Sequence, residues 1–307
     1  MVHSAIAATN AVVTLDIALP EPFWGWFVTM NMWAKSIGTG LIFMLFLLLR
    51  KNSDEMNGLR TPVTIVSFVM MIVFLLFTLA DLHQPFRMWH IFFYPHWTSA
   101  ITVGAWMASV FVLLEFIMIA AMVRKENCLL TKEPVAFFDK LLFWTTILGI
   151  PVTLYTAGIM AESTARELWT MPTESAQMIL AATLSGSAAM ILLGGSKLSD
   201  ESKKFFGAIL GLSALMAFII YMSEYIFGGM KSEEAIAVLA NIKGDGEYAT
   251  MFWIGQWVAY ILPMILVGLS RVSNSNSILS LAAILAIAGL WVVKHVWLII
   301  PQLLSLS

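Results

Sequence analysis

The chain has 307 residues, 60% of them hydrophobic and only 12% Asp, Glu, Lys or Arg, with a mean hydropathy of +0.85. A soluble domain carries about 25% charged residues, so an ordinary soluble enzyme and a disordered chain are both excluded. The formal charge of −2 leaves no broad basic surface for nucleic acid. The single cysteine, Cys128, leaves no intrachain disulfide, Cys-ligated iron–sulfur cluster or C-x-x-C-H haem attachment.

Residues 1–23 are mildly apolar but hold His3, Asn10 and Asp16 and no positively charged start. They read as a segment draped outside the bilayer, not as a signal peptide. Eight apolar runs follow, at 24–49, 62–82, 98–123, 140–161, 174–194, 205–228, 248–270 and 278–300. Each reaches the roughly 20 residues a helix needs to cross a bilayer core, and none alternates over about ten residues as an outer-membrane strand does. The expected fold is all-α, a polytopic membrane protein with eight transmembrane helices in two four-helix bundles. The first bundle spans 24–161 and the second 174–300, with a tail at 301–307.

Charge in the loops sets the expected orientation. Arg50, Lys51, Arg60, Arg124, Lys125, Lys132, Lys140, Lys197, Lys203, Lys204 and Arg271 fall on one side, and only Arg87, Arg166, Lys231 and Lys243 on the other. The positive-inside rule makes the first side cytoplasmic and puts both termini outside, in the periplasm of a bacterial cell whose inner membrane holds the protein. The longest loop, 229–247, is too short for a soluble catalytic domain. The chemistry must sit in the bundle or come with a partner.

Polar groups inside the spans are costly and therefore informative. The first helix carries Trp24, Asn31 and Lys35 on one line, with Lys35 near mid-membrane at 1.5 Å per residue. That is too deep for easy snorkelling, so Lys35 serves either a proton or ligand route or a structural pair. Glu115 in the third helix is its candidate partner. At the outer end of the second helix, Asp81, His83, Arg87 and His90 crowd around Trp89, with Pro85 stopping the helix.

In the fourth helix, Tyr155, Glu162 and Arg166 share one face, and Glu162–Arg166 is an i,i+4 pair. Tyr155 points into the same outer layer as Asp81 and His83. A tyrosine hydroxyl beside an Asp and a His suits a polar carbonyl or phenol. Glu224 lies near the outer end of the sixth helix, either functional or simply reaching headgroups. Lys294, beside His295 in the eighth, reads as snorkelling outward. Of the five histidines, His83, His90 and His96 crowd one outer region, His3 precedes the spans, and only His295 is well inside one. Facing ligands for haem b are lacking, the outer trio has weak spacing for zinc, and no metal centre is expected. No phosphate loop, nucleophile elbow or H-E-x-x-H is present.

The string DLHQPFRMWHIFFYPHWTSAITVGAW (81–106) resembles the NrfD/PsrC family of polysulfide-reductase-type membrane subunits. Asp81, Leu82, Pro85, Arg87, Trp89, Pro95, Ser99 and Gly104-Ala105-Trp106 match that family's D-L-G-R-P-x-R-x-W, N-P-x-S and G-A-W elements. WGW at 24–26, YTAGIMAE at 155–162, Trp169 and Pro172 match in order, so the resemblance covers most of 22–195. This chain departs at His83-Gln84 (Gly-Arg in the family), Tyr94 (Asn) and Lys35-Ser36 (a Gly-Gly step). Glu21 stands nearest the Asn and His with which some members hold quinone.

The resemblance implies a quinone/quinol-reactive membrane anchor subunit of a multi-subunit respiratory oxidoreductase, using menaquinone or ubiquinone. It implies no haem or iron–sulfur cluster in this chain. Electrons pass through a docked ferredoxin-like iron–sulfur subunit, with a molybdenum or multihaem cytochrome subunit beyond it. Some relatives are proposed to move protons, which gives Lys35, Glu115 and Glu224 a purpose. The expected catalytic residues are Asp81, His83 and Tyr155, and Trp24, Arg87 and Arg166 complete the expected quinone-binding set.

Physical chemistry agrees, because two-electron quinone chemistry moves two protons and needs hydrogen-bond partners for both carbonyls. Trp24, Trp89 and Trp106 would form a flat apolar wall for the ring. Three rival readings are a secondary transporter or ion-translocating protein using Lys35 and Glu115, a retinal protein using Lys294, and an anchor that binds no quinone.

Overall fold

The computed structural model describes residues 22–124 and 131–304. The expectations for residues 1–21, Glu21 among them, and for the last three tail residues lie outside it. Among the described residues eight helices are long and apolar enough to cross a membrane. They are α1 (Trp26–Lys51), α2 (Arg60–Asp81), α3 (Ala100–Val123), α4 (Pro134–Glu162), α5 (Met171–Gly194), α6 (Asp200–Phe227), α7 (Ala249–Ser273) and α8 (Asn276–Ile299). Each coincides with one apolar run.

Local chemistry explains where the helix ends fall. α4 begins six residues before its apolar run, at Pro134, where the missing N–H is no loss. Its early turns carry Asp139, whose carboxylate receives both Nε and Nη2 of the buried Arg60 at 2.9 Å. That bidentate pair makes a charged turn affordable inside the fold. Ser199 caps α6 by accepting the Ser202 N–H at 3.2 Å, and Asp200 and Glu201 face the positive end of that helix. α7 is continuous but passes through a π-turn at Trp257–Ile261, just ahead of Pro263. Pro263 cannot donate to the preceding turn, and the wider register absorbs the break.

The helices pack as two rings. α1, α2, α3 and α4 follow one another around the first, and α4 closes it against α1; α5 to α8 do the same in the second, with α8 against α5. The rings meet where α1 and α4 lie on α5 and where α8 lies on α1. At the α1–α5 crossing two glycines touch. A Cβ on Gly40 would sit 2.0 Å from the Ala182 carbonyl oxygen, and one on Gly186 would sit 2.3 Å from the Gly40 carbonyl. Small residues let backbones approach where lipid gives no hydrophobic push between helices. Leu76, Leu113, Phe116, Ile147 and Ile150 stay exposed on the outside of the first ring, where acyl chains would meet them.

The Trp24 N–H donates to Gln302 Oε1 at 2.9 Å, and its carbonyl accepts from Gln302 Nε2 at 3.0 Å. Both ends of the described chain therefore share one face, the terminal face. The other end of the bundle is the opposite face.

Candidate functional site

All four helices of the first ring meet at one point below the terminal face. Lys35 of α1 is fully buried, and its ammonium donates to Thr156 Oγ1 on α4. The same Nζ lies 4.4 Å from the Tyr155 ring centroid and 6.0 Å from that of Phe74 on α2. No carboxylate lies within 4 Å of it among the described residues. In its protonated form the amine would gain cation–π attraction from the Tyr155 ring face. The Tyr155 ring also meets Phe74 edge-on at 6.2 Å. On α3, a Cβ at Gly104 would lie 2.2 Å from Tyr155 Cδ2, so the glycine of the G-A-W motif is the space the ring occupies. Gly104→Val is accordingly expected to evict the Tyr155 ring and reproduce the activity loss of a Tyr155 variant, with helix content by circular dichroism unchanged.

Asp81 and His83 lie higher. Asp81 ends α2, half-buried, seven residues beyond Phe74, or ~10 Å along the helix. His83 is exposed and stacks on Phe23 at 5.2 Å. Among the described residues the Asp81 carboxylate has no hydrogen bond or ion pair. Arg87 is exposed on the short turn Pro85–Arg87. The expected single clasp is thus two layers, a rim of Asp81, His83 and Arg87 and a floor of Tyr155 and Lys35.

Several expected neighbours are apart. Trp24 precedes α1 and stacks on Trp169 at 5.3 Å, while Trp106 packs with Phe92 and Trp97, and Trp89 with Phe93 and Tyr94. The three tryptophans form no common wall. Asn31 turns to α2 and donates to Thr78 Oγ1 at 2.5 Å. Arg166 shares no helical face with Tyr155, because α4 stops at Glu162. Its Nη1 donates to the carbonyls of Pro301 at 2.6 Å and Leu304 at 2.7 Å, tying the loop to the end of the chain.

Glu115 does not pair with Lys35. It is fully buried deeper in the ring, bonded to Ser67 Oγ, which is also 2.8 Å from the Gly38 carbonyl. Ser67 has one proton for two acceptors. The other oxygen of Glu115, Oε2, is buried with no hydrogen-bond partner among the described residues.

Residues 18–305 match the family described as Polysulphide reductase, NrfD. The chain belongs to the NrfD family. The match spans both rings, whereas the motif resemblance stopped near residue 195. The chain is 22% identical to a polysulfide reductase component of Wolinella succinogenes, over 88% of this chain and 92% of that one. It is also 22% identical to a selenate reductase component of Mesobacillus selenatarsenatis, over 91% of this chain and 73% of that one.

The second ring of this NrfD protein holds Lys294 and Glu224, both noted in the sequence, and Glu174, which the sequence reading passed over. Lys294 does not snorkel. It is buried, and its Nζ reaches only Met178 Sδ, at 3.4 Å. Glu174, buried in the first turn of α5, accepts from Trp297 Nε1 at 2.9 Å. Glu224 holds Lys231 at 2.7 and 3.0 Å and accepts from Thr173 Oγ1 at 3.2 Å.

Glu174 lies at the start of α5, and Glu224 with Lys231 at the end of α6, all towards the terminal face. The available sequence signal for Glu174 was a carboxylate at the start of a span with Gln177 one turn on. Among the described residues no three His, Cys, Asp or Glu side chains converge to hold a metal ion.

Proposed function

We propose that this NrfD protein is the quinone/quinol-reactive membrane anchor of a multi-subunit respiratory oxidoreductase, with menaquinone or ubiquinone as its mobile partner. The observation that carries the reading is the floor of the first ring, a buried lysine amine with no carboxylate partner among the described residues, against a tyrosine ring in a glycine notch. The donor chemistry suits a quinone head, since Tyr155 and Lys35 offer hydrogen bonds to a carbonyl oxygen and Phe74 offers an apolar flank. When bound, the quinone supplies the two-electron couple. Tyr155 orients one of its oxygens and Lys35 holds a proton beside it. Asp81 and His83, at the rim, exchange the second proton with solvent.

The positive-inside rule assigns the terminal face to the outside of a bacterial inner membrane. A ferredoxin-like iron–sulfur subunit would dock there, with a molybdenum or multihaem cytochrome subunit beyond it. Both relatives are named as single components of larger reductases, which agrees with such an assembly. Were protons to move, Lys294, Glu174, Glu224 and Lys231 would be the titratable groups on the outward side of Lys35, and Glu115 with Ser67 those on the inward side.

The test is quinone extraction and subunit identification on the native complex purified in mild detergent. About one quinone per complex, with an iron–sulfur partner, is the expected result. A partner-free protein without quinone that drives substrate-dependent proton flux in liposomes would replace this reading with the transporter.

A further inference from the structure

On the opposite face, far from the site above, a cavity of about 120 Å³ opens between the start of α6, the end of α7 and the start of α8. A water needs roughly 10–15 Å³ on this measure, so a group of several heavy atoms fits. Lys203, Lys204, Arg271 and Asp200 line its mouth, and Val267 and Leu279 its floor. Three cations face one carboxylate, and that carboxylate is already engaged. Asp200 is 3.6 Å from Lys203 and 3.4 Å from Asn276 Nδ2. Lys204 and Arg271 have no carboxylate within 4 Å among the described residues. α8 opens beside the cavity with no side-chain cap, which leaves its first amides free.

The floor is apolar by construction. It is reached about two turns inward along α6, where Gly207 lies under Leu279 and a Cβ would come within 3.1 Å of Leu279 Cδ1. A charged mouth at the end of the spans above an apolar floor between helices matches an amphiphile standing in the bilayer, with its anion at the rim. We propose that this cavity binds the phosphate of an anionic phospholipid headgroup between α6, α7 and α8. A free phosphate shares the anion chemistry but has no use for Val267 and Leu279. Only the naming of the leaflet, the cytoplasmic one, rests on the orientation given above.

The test is titration of the delipidated complex with phosphatidylglycerol, phosphatidylcholine or inorganic phosphate, read by native mass spectrometry and thermal midpoint. Phosphatidylglycerol is expected to bind and raise the midpoint, whereas phosphatidylcholine and inorganic phosphate at equal concentration do neither. The double variant Lys204→Gln/Arg271→Gln, altered at exposed side chains only, is expected to weaken phosphatidylglycerol binding by about 30-fold. Asp200→Asn, which removes the competing carboxylate, is expected to tighten it. Equal binding by the double variant would overturn the site. An equal shift with inorganic phosphate alone would overturn the lipid in favour of a free anion. Quinone content should not change in either variant, so this outcome is separate from the fate of the quinone site.

Discussion

Tyr155→Phe in the native complex is expected to lower quinone-linked turnover by about 100-fold while the complex assembles normally. The substitution removes one oxygen. The ring still fills the notch at Gly104, still meets Phe74 and still faces Lys35 Nζ, so packing is preserved. A positioned proton donor or acceptor contributes typically 10²–10⁴-fold, and the lower end applies because Lys35 remains beside the quinone oxygen. Lys35→Met is expected to cost as much or more, since it removes the proton held at the floor. It should not loosen the bundle, because a buried amine gives way to an apolar chain of similar length. Phe74→Leu, which changes only the flank, is expected to stay within a few-fold of wild type. Steady-state assays with a soluble quinol analogue would separate these outcomes. Unchanged turnover in both Tyr155→Phe and Lys35→Met would remove the floor from the mechanism.

Gly40→Leu is expected to abolish accumulation of the folded protein in the membrane. Even the first carbon of the new side chain would lie 2.0 Å from the Ala182 carbonyl oxygen, well inside contact distance, with the Gly186 Cα 2.9 Å away. The neighbours are backbone, so no rotamer relieves the clash and α1 must move off α5. Overpacking a core costs ~1–3 kcal/mol where side chains can adjust, and a backbone clash at the junction of both rings exceeds that. Gly25→Leu is the matched control, because among the described residues nothing lies within 4 Å of a Cβ there. Membrane yield by immunoblot is the measurement, with near-normal levels for the control and little or none for Gly40→Leu.

The eight spans were legible because a bilayer demands about 20 apolar residues whatever the neighbours are. The start of α4 was not. An apolar window stops at charge, and only the distant Arg60 makes Asp139 acceptable in that helix. Periodicity places Lys35, Asn31 and Trp24 along one line but cannot say which element faces them. In the structure Lys35 turns to α4, Asn31 to α2, and Trp24 to Trp169 in the loop ahead of α5. The Lys35–Glu115 pair expected from charge alone fails because each found a hydroxyl, Thr156 and Ser67, on the helix it faces.

Hydroxyls of that kind are invisible to a search for opposite charges, since serine and threonine are common in spans for other reasons. Arg166 was misread for a simpler cause. Its i,i+4 spacing from Glu162 has meaning only inside a helix, and α4 ends at Glu162. The motif residues fared better. Gly104 and Tyr155, singled out 51 positions apart in the chain, are in direct contact.

The most direct test of the account is photo-crosslinking of an azido-quinone to the native complex, with the labelled peptides sequenced. The expected result is label on α1 and α4 around Lys35 and Tyr155, with lesser label on the 81–87 turn, and its loss in Gly104→Val. Label confined to the second ring or to the opposite face, with the Lys35 and Tyr155 peptides clean, would contradict it.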